Sequence, residues 1–484
     1  MPMITSPRIA FLAVASLLPF APLSTAQDQP AQPAPASEFE TPAMPANPPA
    51  DWLTYHLVHP GPGPAMPGDP NPIFFWKGRY HLHYIYKNKG FVFAHVSSTD
   101  MVNWKWHPTT LTPKTTGHGM FSGTGFLTKE GKPAMIYHGQ GSGKNWIAYP
   151  QDDNFEKWSK PEAVVALEED GTPAKARQWD PDCWLNGDTY YALTGGKNPS
   201  LMKSADLKTW KALGPLLHDA YPENLGVPKG EDISCANFFK IGNKWMLLCI
   251  SHTLGCRYYL GDFKDEKFLP DFHALMSWNG NNFFAPESVL TPDGRRVMWA
   301  WVFKLPFAPT GVQSLPRELE LPADGILRIR PLRELESLRH DGKQEAAIAV
   351  KADAPHPLKD IAGHALELEV TVKAPKVGEC GLDVLCDKEG KNGMQIAVVD
   401  DGKTKSLRVG KVVAPFALKE GEDLTLRVFI DKNFVEVFAN DRQAAVTAIP
   451  FVAENTGINL FSKGGDIEVK TLKTWKMKST YAEK

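Results

Sequence analysis

Five glycines, Gly78, Gly131, Gly187, Gly242 and Gly294, each precede an apolar strand, at spacings of 53, 56, 55 and 52 residues. The strands they open read RYHLHYIY, KPAMIYHG, DTYYALTG, NKWMLLCI and RRVMWAWV, each consistent with a half-buried or buried β-strand. A second marker lies later in the unit: Asp100 with Trp104, Asp153 with Trp158, and Asp206 with Trp210. A period of this size in a strand-rich chain is the pattern of propeller blades. Five units predict a five-bladed β-propeller.

The unit fixes where chemistry can gather. The first strand of each blade lines the central channel, so residues in equivalent register converge from separate blades on one funnel. Acids stand just before these strands: Asp69 in GDPNP, Asp180 in WDPDCW, Glu231 in GEDISC and Glu287 in FFAPESV. Converging carboxylates are what glycosidic cleavage requires, one ionised at the anomeric centre and one protonated toward the leaving oxygen. Crowding raises the pKa of at least one of them. Counted back from each glycine, Asp69, Asp180, Glu231 and Glu287 all lie an odd number of residues away and Ser234 an even number, which predicts that Glu231 shares a face with the other acids. Trp76, Phe121, Trp146 and Trp179 lie close by in sequence and supply flat surfaces for sugar faces. The Asp-to-Trp pairs at 100–104 and 206–210 read as structural closures of the blade.

The remaining sequence bounds the setting. Residues 1–26 read as a secretory signal: Arg8, an apolar stretch too short and Pro-broken to span a bilayer, then Ser24-Thr25-Ala26. A secreted or periplasmic protein is expected. Residues 27–49 are rich in Pro, Ala and Gln and read as a linker. A net charge of −2 gives no footprint for nucleic acid, and no later apolar run is long enough for a membrane span. Six cysteines show no zinc spacing and the 14 histidines are scattered, so neither metal nor cofactor is predicted. Cys380 and Cys386 are placed either to pair after export or to remain buried thiols, and Cys183, Cys235, Cys249 and Cys256 read as core. Leu332, Leu335 and Leu338 suggest a short helix in a connector over 326–343, behind a propeller at 50–325. Alternating segments such as LELEVTV, LTLRVFI and VEVFA predict a C-terminal β-sandwich over 344–484 that braces the propeller.

From about His56 onward the chain resembles the β-fructosidases of glycoside hydrolase family 32, the invertases, inulinases and levanases. The resemblance rests on GDPNP, AHVSSTDMVNW, MFSGTGF, WDPDCW, SCANFFKIGNKWMLL, FFAPESV, GVQSLPRELEL and FIDKNFVEVFAND, in that order. It implies the same all-β fold and a retaining hydrolysis of terminal fructofuranosyl units in an oligo- or polysaccharide substrate. Asp69 falls at the family's nucleophile and Asp180 at its transition-state stabiliser. Phe121 and Ser122 fall at the pair that contacts the fructosyl unit; Asn71, Trp76 and Trp179 are further sugar-binding candidates. The family's acid/base glutamate directly precedes a Cys, a position held here by Ser234, so Glu231 is the nearest candidate for that role. Gly68, Pro72, Ile85 and Trp179 also depart from the pattern. A pocket built to bond a hydroxyl discriminates strongly, so these changes leave two alternatives open: a furanosidase for arabinose-type sugars, or a carbohydrate-binding homologue without turnover.

Overall fold

The computed structural model describes residues 41–278, 282–303, 311–376 and 378–481. The expected signal segment and most of the linker lie outside the described residues.

Each glycine does the work its backbone allows. Between Trp76 and Arg79, Lys77 and Gly78 both hold positive φ (45° and 81°), the two-residue hairpin turn whose twist suits the flanking strands. Repetition yields five sheets up to residue 331, antiparallel but for one short parallel pair, Trp210 and Lys211 with Ala166 and Leu167, in the third. Sheet I is Ile73–Trp76, Arg79–Lys87, Phe91–Ser98 and Lys105–Leu111. Sheets II, III and IV begin with Gly119–Leu127, Asp182–Asn186 and Ser234–Ile241, and sheet V runs from Phe283–Leu290 to Arg328–Pro331. The five opening strands contact one another in order, and the fifth contacts the first, so they close a ring. This is a β-propeller.

The Asp-to-Trp markers prove to be turns, as their spacing suggests. Asp100 accepts the amides of Val102 and Asn103, and Asp206 those of Lys208 and Thr209. Three residues before each tryptophan, Met101, Phe155 and Leu207 take left-handed backbone at φ 61°, 59° and 65°. Trp158 and Trp210 then bond back to the carbonyls of Phe155 and Leu207. Asp153 departs from this scheme and reaches Trp76 and Lys77 instead.

The connector is not an α-helix. Leu335 and Leu338 are buried on a 3₁₀ turn, Arg333–Leu338, because leucines three apart align at three residues per turn. Two six-stranded sheets follow as a β-sandwich, one including Ala365–Val372, Leu424–Asp431 and Phe434–Ala439, the other Glu379–Cys386 and Met394–Asp400. Alternation divides the first sheet between two cores. Val428, Ile430, Val435 and Val437 face the second sheet, whereas Phe429, Phe434 and Phe438 pack with Leu315, Leu319 and Trp299 of the propeller. All six cysteines are free thiols, Cys380 and Cys386 included.

A buried charge cluster pins this junction. Glu436 accepts from Arg317 at 2.8 Å and from the Leu315 amide at 2.7 Å, with His56 3.4 Å away. Asp431 accepts His56 Nδ1 at 2.8 Å and the amides of Thr54, Tyr55 and His56. Both carboxylates have no solvent exposure, so each depends on its partners. Glu436→Gln strands a buried guanidinium and is expected to cost about 3 kcal/mol in urea unfolding at pH 7. Adding Arg317→Met to Glu436→Leu should recover part of that loss.

Candidate functional site

Every opening strand enters the ring through a three-residue step. The steps are Asp69-Pro70-Asn71, Ser122-Gly123-Thr124, Asp180-Pro181-Asp182, Cys235-Ala236-Asn237 and Ala285-Pro286-Glu287. Three of their first residues take left-handed backbone, with φ of 30° at Asp180, 46° at Cys235 and 47° at Ala285. Pairing registers shift at the same place, between Met120 and Gly123, Ser234 and Asn237, and Phe284 and Glu287. Such bulges re-aim side chains at the end of a strand.

The third residues of the steps form a hydrogen-bonded belt. Thr124 donates to Asp182 at 2.6 Å, and Asp182 also accepts the Phe238 amide at 2.6 Å. Asn237 donates to Glu287 at 3.0 Å, Glu287 accepts the Ile73 amide at 3.3 Å, and Asn71 accepts the Gly123 amide at 3.3 Å. All five junctions between neighbouring sheets are thereby bridged. Burial pushes Asp182 up to about 6 and Glu287 well above the usual carboxylate range.

The first residues form a second layer, and here the acids meet. Ser122 Oγ donates to Asp69 Oδ2. Cys235 Sγ lies 3.7 Å from Asp69 Oδ2, 3.7 Å from Asp180 Oδ2 and 3.5 Å from Ser122 Oγ, and its amide donates to Asp180 Oδ2 at 3.1 Å. Asp69 Oδ1 is buried without a hydrogen-bond partner. Burial raises Asp69 to about 6, against the pull of Ser122 and Cys235. Burial and then the neighbouring Asp69 charge raise Asp180 to about 7. Of the two buried carboxylates, Asp180 keeps its proton to the higher pH. The pair can attack or stabilise a cationic centre with one member and hold a proton on the other.

Asp69, Asp180 and Ser122 are thus brought together, with Asn71 directly beneath. Phe121 and Trp179 flank them, their rings 6.4 Å apart, and Arg177 stacks on Trp179 at 4.4 Å. Trp76 is not with them. Its strand starts beyond Asp69 and runs away from the hollow, and the Trp76 indole bonds Asp153 at 3.1 Å at the far hairpin. Glu287 belongs to the belt and not to the acid layer. Glu231 lies before its strand, outside the regular pairing on which the odd-even count depends. Its Oε1 accepts Ser251 Oγ at 2.5 Å, Thr253 Oγ1 at 3.4 Å and the Asp232 amide at 3.2 Å, and no hydrogen bond joins it to Asp69 or Asp180.

Cys235, read from sequence as core, is buried but sits between the two acids. Asp232 and His252 were not singled out by sequence. Ser234 pairs with Ile250, so two residues further out Asp232 faces His252, and the carboxylate takes His252 Nδ1 at 2.6 Å. Ser234 Oγ donates to Asp232 at 3.1 Å and receives the Trp179 indole at 3.0 Å. Antiparallel register is the signal that would have found this pair. Among the described residues there is no cluster of three or more His, Cys, Asp or Glu side chains able to hold a metal, and no helix long and apolar enough to cross a membrane.

Comparison with known proteins agrees with this arrangement. Residues 59–331 match the model of the glycosyl hydrolases family 32 N-terminal domain, and residues 334–476 that of the family 32 C terminal. A sucrose-6-phosphate hydrolase of Zymomonas mobilis is 26% identical over 450 residues, covering 81% of this chain and 85% of its own. A levanase of Bacillus subtilis is 26% identical over 497 residues, covering 88% and 70%. The crystal structure of fructan 1-exohydrolase IIa from Cichorium intybus superposes with a TM-score of 0.76 at 20% identity, covering 89% of this chain and 98% of that one. With family models spanning both the ring of sheets and the sandwich, the chain belongs to glycosyl hydrolase family 32 and is a glycosidase of that family.

Proposed function

We propose that the chain is an exported β-fructofuranosidase, built on five propeller blades, that releases terminal β-D-fructofuranosyl units from fructans or sucrose-type saccharides with retention. One observation carries the reading: Asp69 and Asp180 converge on Cys235 from separate sheets, within the motifs GDPNP and WDPDCW. The likeness to a levanase and a sucrose-6-phosphate hydrolase supports the substrate class. The character of residues 1–26 supports export to the periplasm or medium.

In this reading the unpartnered Oδ1 of Asp69 attacks the anomeric carbon and forms a fructosyl ester. Ser122, donating to Oδ2, orients the nucleophile. Asp180 stands by the charge that develops on the sugar ring. Phe121 and Trp179 offer the apolar faces. A second reading keeps its footing on Trp179 and Ser234, whose indole-to-hydroxyl bond fills space where the family resemblance implies an arginine and a glutamate. It assigns the pocket to an arabinose-type furanoside or to sugar binding alone.

Incubation of the pure protein with levan, inulin, sucrose and an aryl arabinofuranoside separates these. Fructose release is the expected result; pentose release, or binding without turnover, would displace the first reading. Asp69→Ala should lower turnover by roughly 10³-fold or more. Because Asp69 must be ionised to attack, turnover should rise with pH through about 6. Stability should run the other way. Both acids have folded pKa values above their unfolded ones, so the fold is favoured at low pH and loses stability as pH rises through about 6 to 7. Asp180→Asn should therefore stabilise the protein by about 2 kcal/mol at pH 8, an advantage that shrinks toward pH 4 in thermal scans.

A further inference from the structure

The reaction needs a proton at the leaving oxygen, and the position expected to supply it holds Ser234. A hydroxyl is too weak an acid for that task near neutrality. What surrounds Ser234 is better suited. Its Oγ bonds Asp232 Oδ1, and Asp232 Oδ2 takes both His252 Nδ1 at 2.6 Å and the His252 amide at 3.2 Å. The carboxylate therefore holds the ring by one bond and its backbone by another, and Nε2 lies on the far side of the ring from it. Phe284, next to the ring residue Ala285, meets the imidazole at 5.8 Å in an edge-on contact. Asp232 and His252 line one cleft with Trp179, whose indole also reaches Ser234. The cleft opens to solvent, with 58% of the His252 side chain exposed against 17% of Asp232.

We propose that His252, held by Asp232, is the proton donor and acceptor of this glycosidase, in place of a glutamate before Cys235. The inference rests on the reading of Asp69 as nucleophile. In the first half-reaction the Nε2 proton passes to the glycosidic oxygen as Asp69 Oδ1 bonds the anomeric carbon and the carbon–oxygen bond breaks, releasing the alcohol. Neutral His252 then takes a proton from water as the water oxygen attacks the same carbon, which frees the Asp69 carboxylate and restores the imidazolium. One water is consumed and no redox partner is needed.

Electrostatics agree with the geometry. The bond from Asp232 raises His252 above its ordinary value, with the charges of Asp180 and Asp69 adding to it. In return the imidazolium lowers both acids against their burial. Among the described residues the cleft also holds Lys175, Arg177 and Lys197, which favour loss of the imidazolium proton, and Glu231, which opposes it. Glu231 itself is tied to Ser251 and Thr253 on the cleft wall.

The test compares full-length wild type, His252→Gln, Asp232→Asn, Glu231→Gln and Asp69→Ala on sucrose, levan and 4-nitrophenyl β-D-fructofuranoside. His252→Gln should lose roughly 10²–10⁴-fold in kcat/KM on sucrose and levan, far less on the nitrophenyl substrate, whose leaving group needs no proton. The fall in wild-type activity at alkaline pH should vanish in the same variant. Asp232→Asn should move that alkaline limb to lower pH, and Glu231→Gln should show no leaving-group dependence. Equal losses of His252→Gln on all three substrates, or wild-type activity in that variant, would overturn the proposal. So would a leaving-group-dependent loss in Glu231→Gln. Failure of the underlying site reading looks different: Asp69→Ala would remain active.

Discussion

Everything at the site rests on the polar belt one step beneath it. A propeller's opening strands have no backbone ladder to each other, so their rotation about the ring axis must be set by side chains. Here Asn71, Thr124, Asp182, Asn237 and Glu287 bridge all five junctions. Two buried carboxylates in that belt are costly, and the cost is offset by short hydrogen bonds and by the half-buried Arg296, which feels both charges. Once the belt fixes the third residue of each step, the first is held two residues away on the same short segment. Asp69, Ser122, Asp180 and Cys235 meet because of a constraint in which none of them takes part.

The acid layer itself is a source of tension. Asp69 and Asp180 are both nearly buried, each within 3.7 Å of one sulfur, and among the described residues neither has a cationic side chain bonded to it. The hollow is therefore prepared for the positive charge that develops on the reacting sugar ring, the electrostatic condition for stabilising an oxocarbenium-like centre. Cys235 fits this task as a small, weakly polar filler; burial and the two acids hold its thiol protonated.

Much of this was legible in the chain. The glycine period gave the sheets, because a positive-φ turn recurs wherever an opening strand doubles back. Asp69, Asp180, Phe121 and Ser122 stood out through motifs at that period. What sequence obscured was local geometry. The odd-even count that favoured Glu231 assumes unbroken alternation, and the residue lies before a bulged strand. Trp76 is near Asp69 in sequence, but the strand carries it to the opposite end of the sheet. Leucines three apart imply a turn of either helical type, and the structure chose the tighter one. His252 carries no motif at all; its place follows only from the hairpin register that sets it across from Asp232.

The junction cluster carries a consequence for biogenesis. Residues 54–58, upstream of the first sheet, are held by Asp431 and, further along, by the C-terminal stretch: Thr480 bonds Thr54 and the Tyr481 hydroxyl takes up the Val58 amide. A ribosome delivers one side of this clasp 375 residues or more before the other. The earliest part of the described chain must therefore wait for the last to emerge before both can settle.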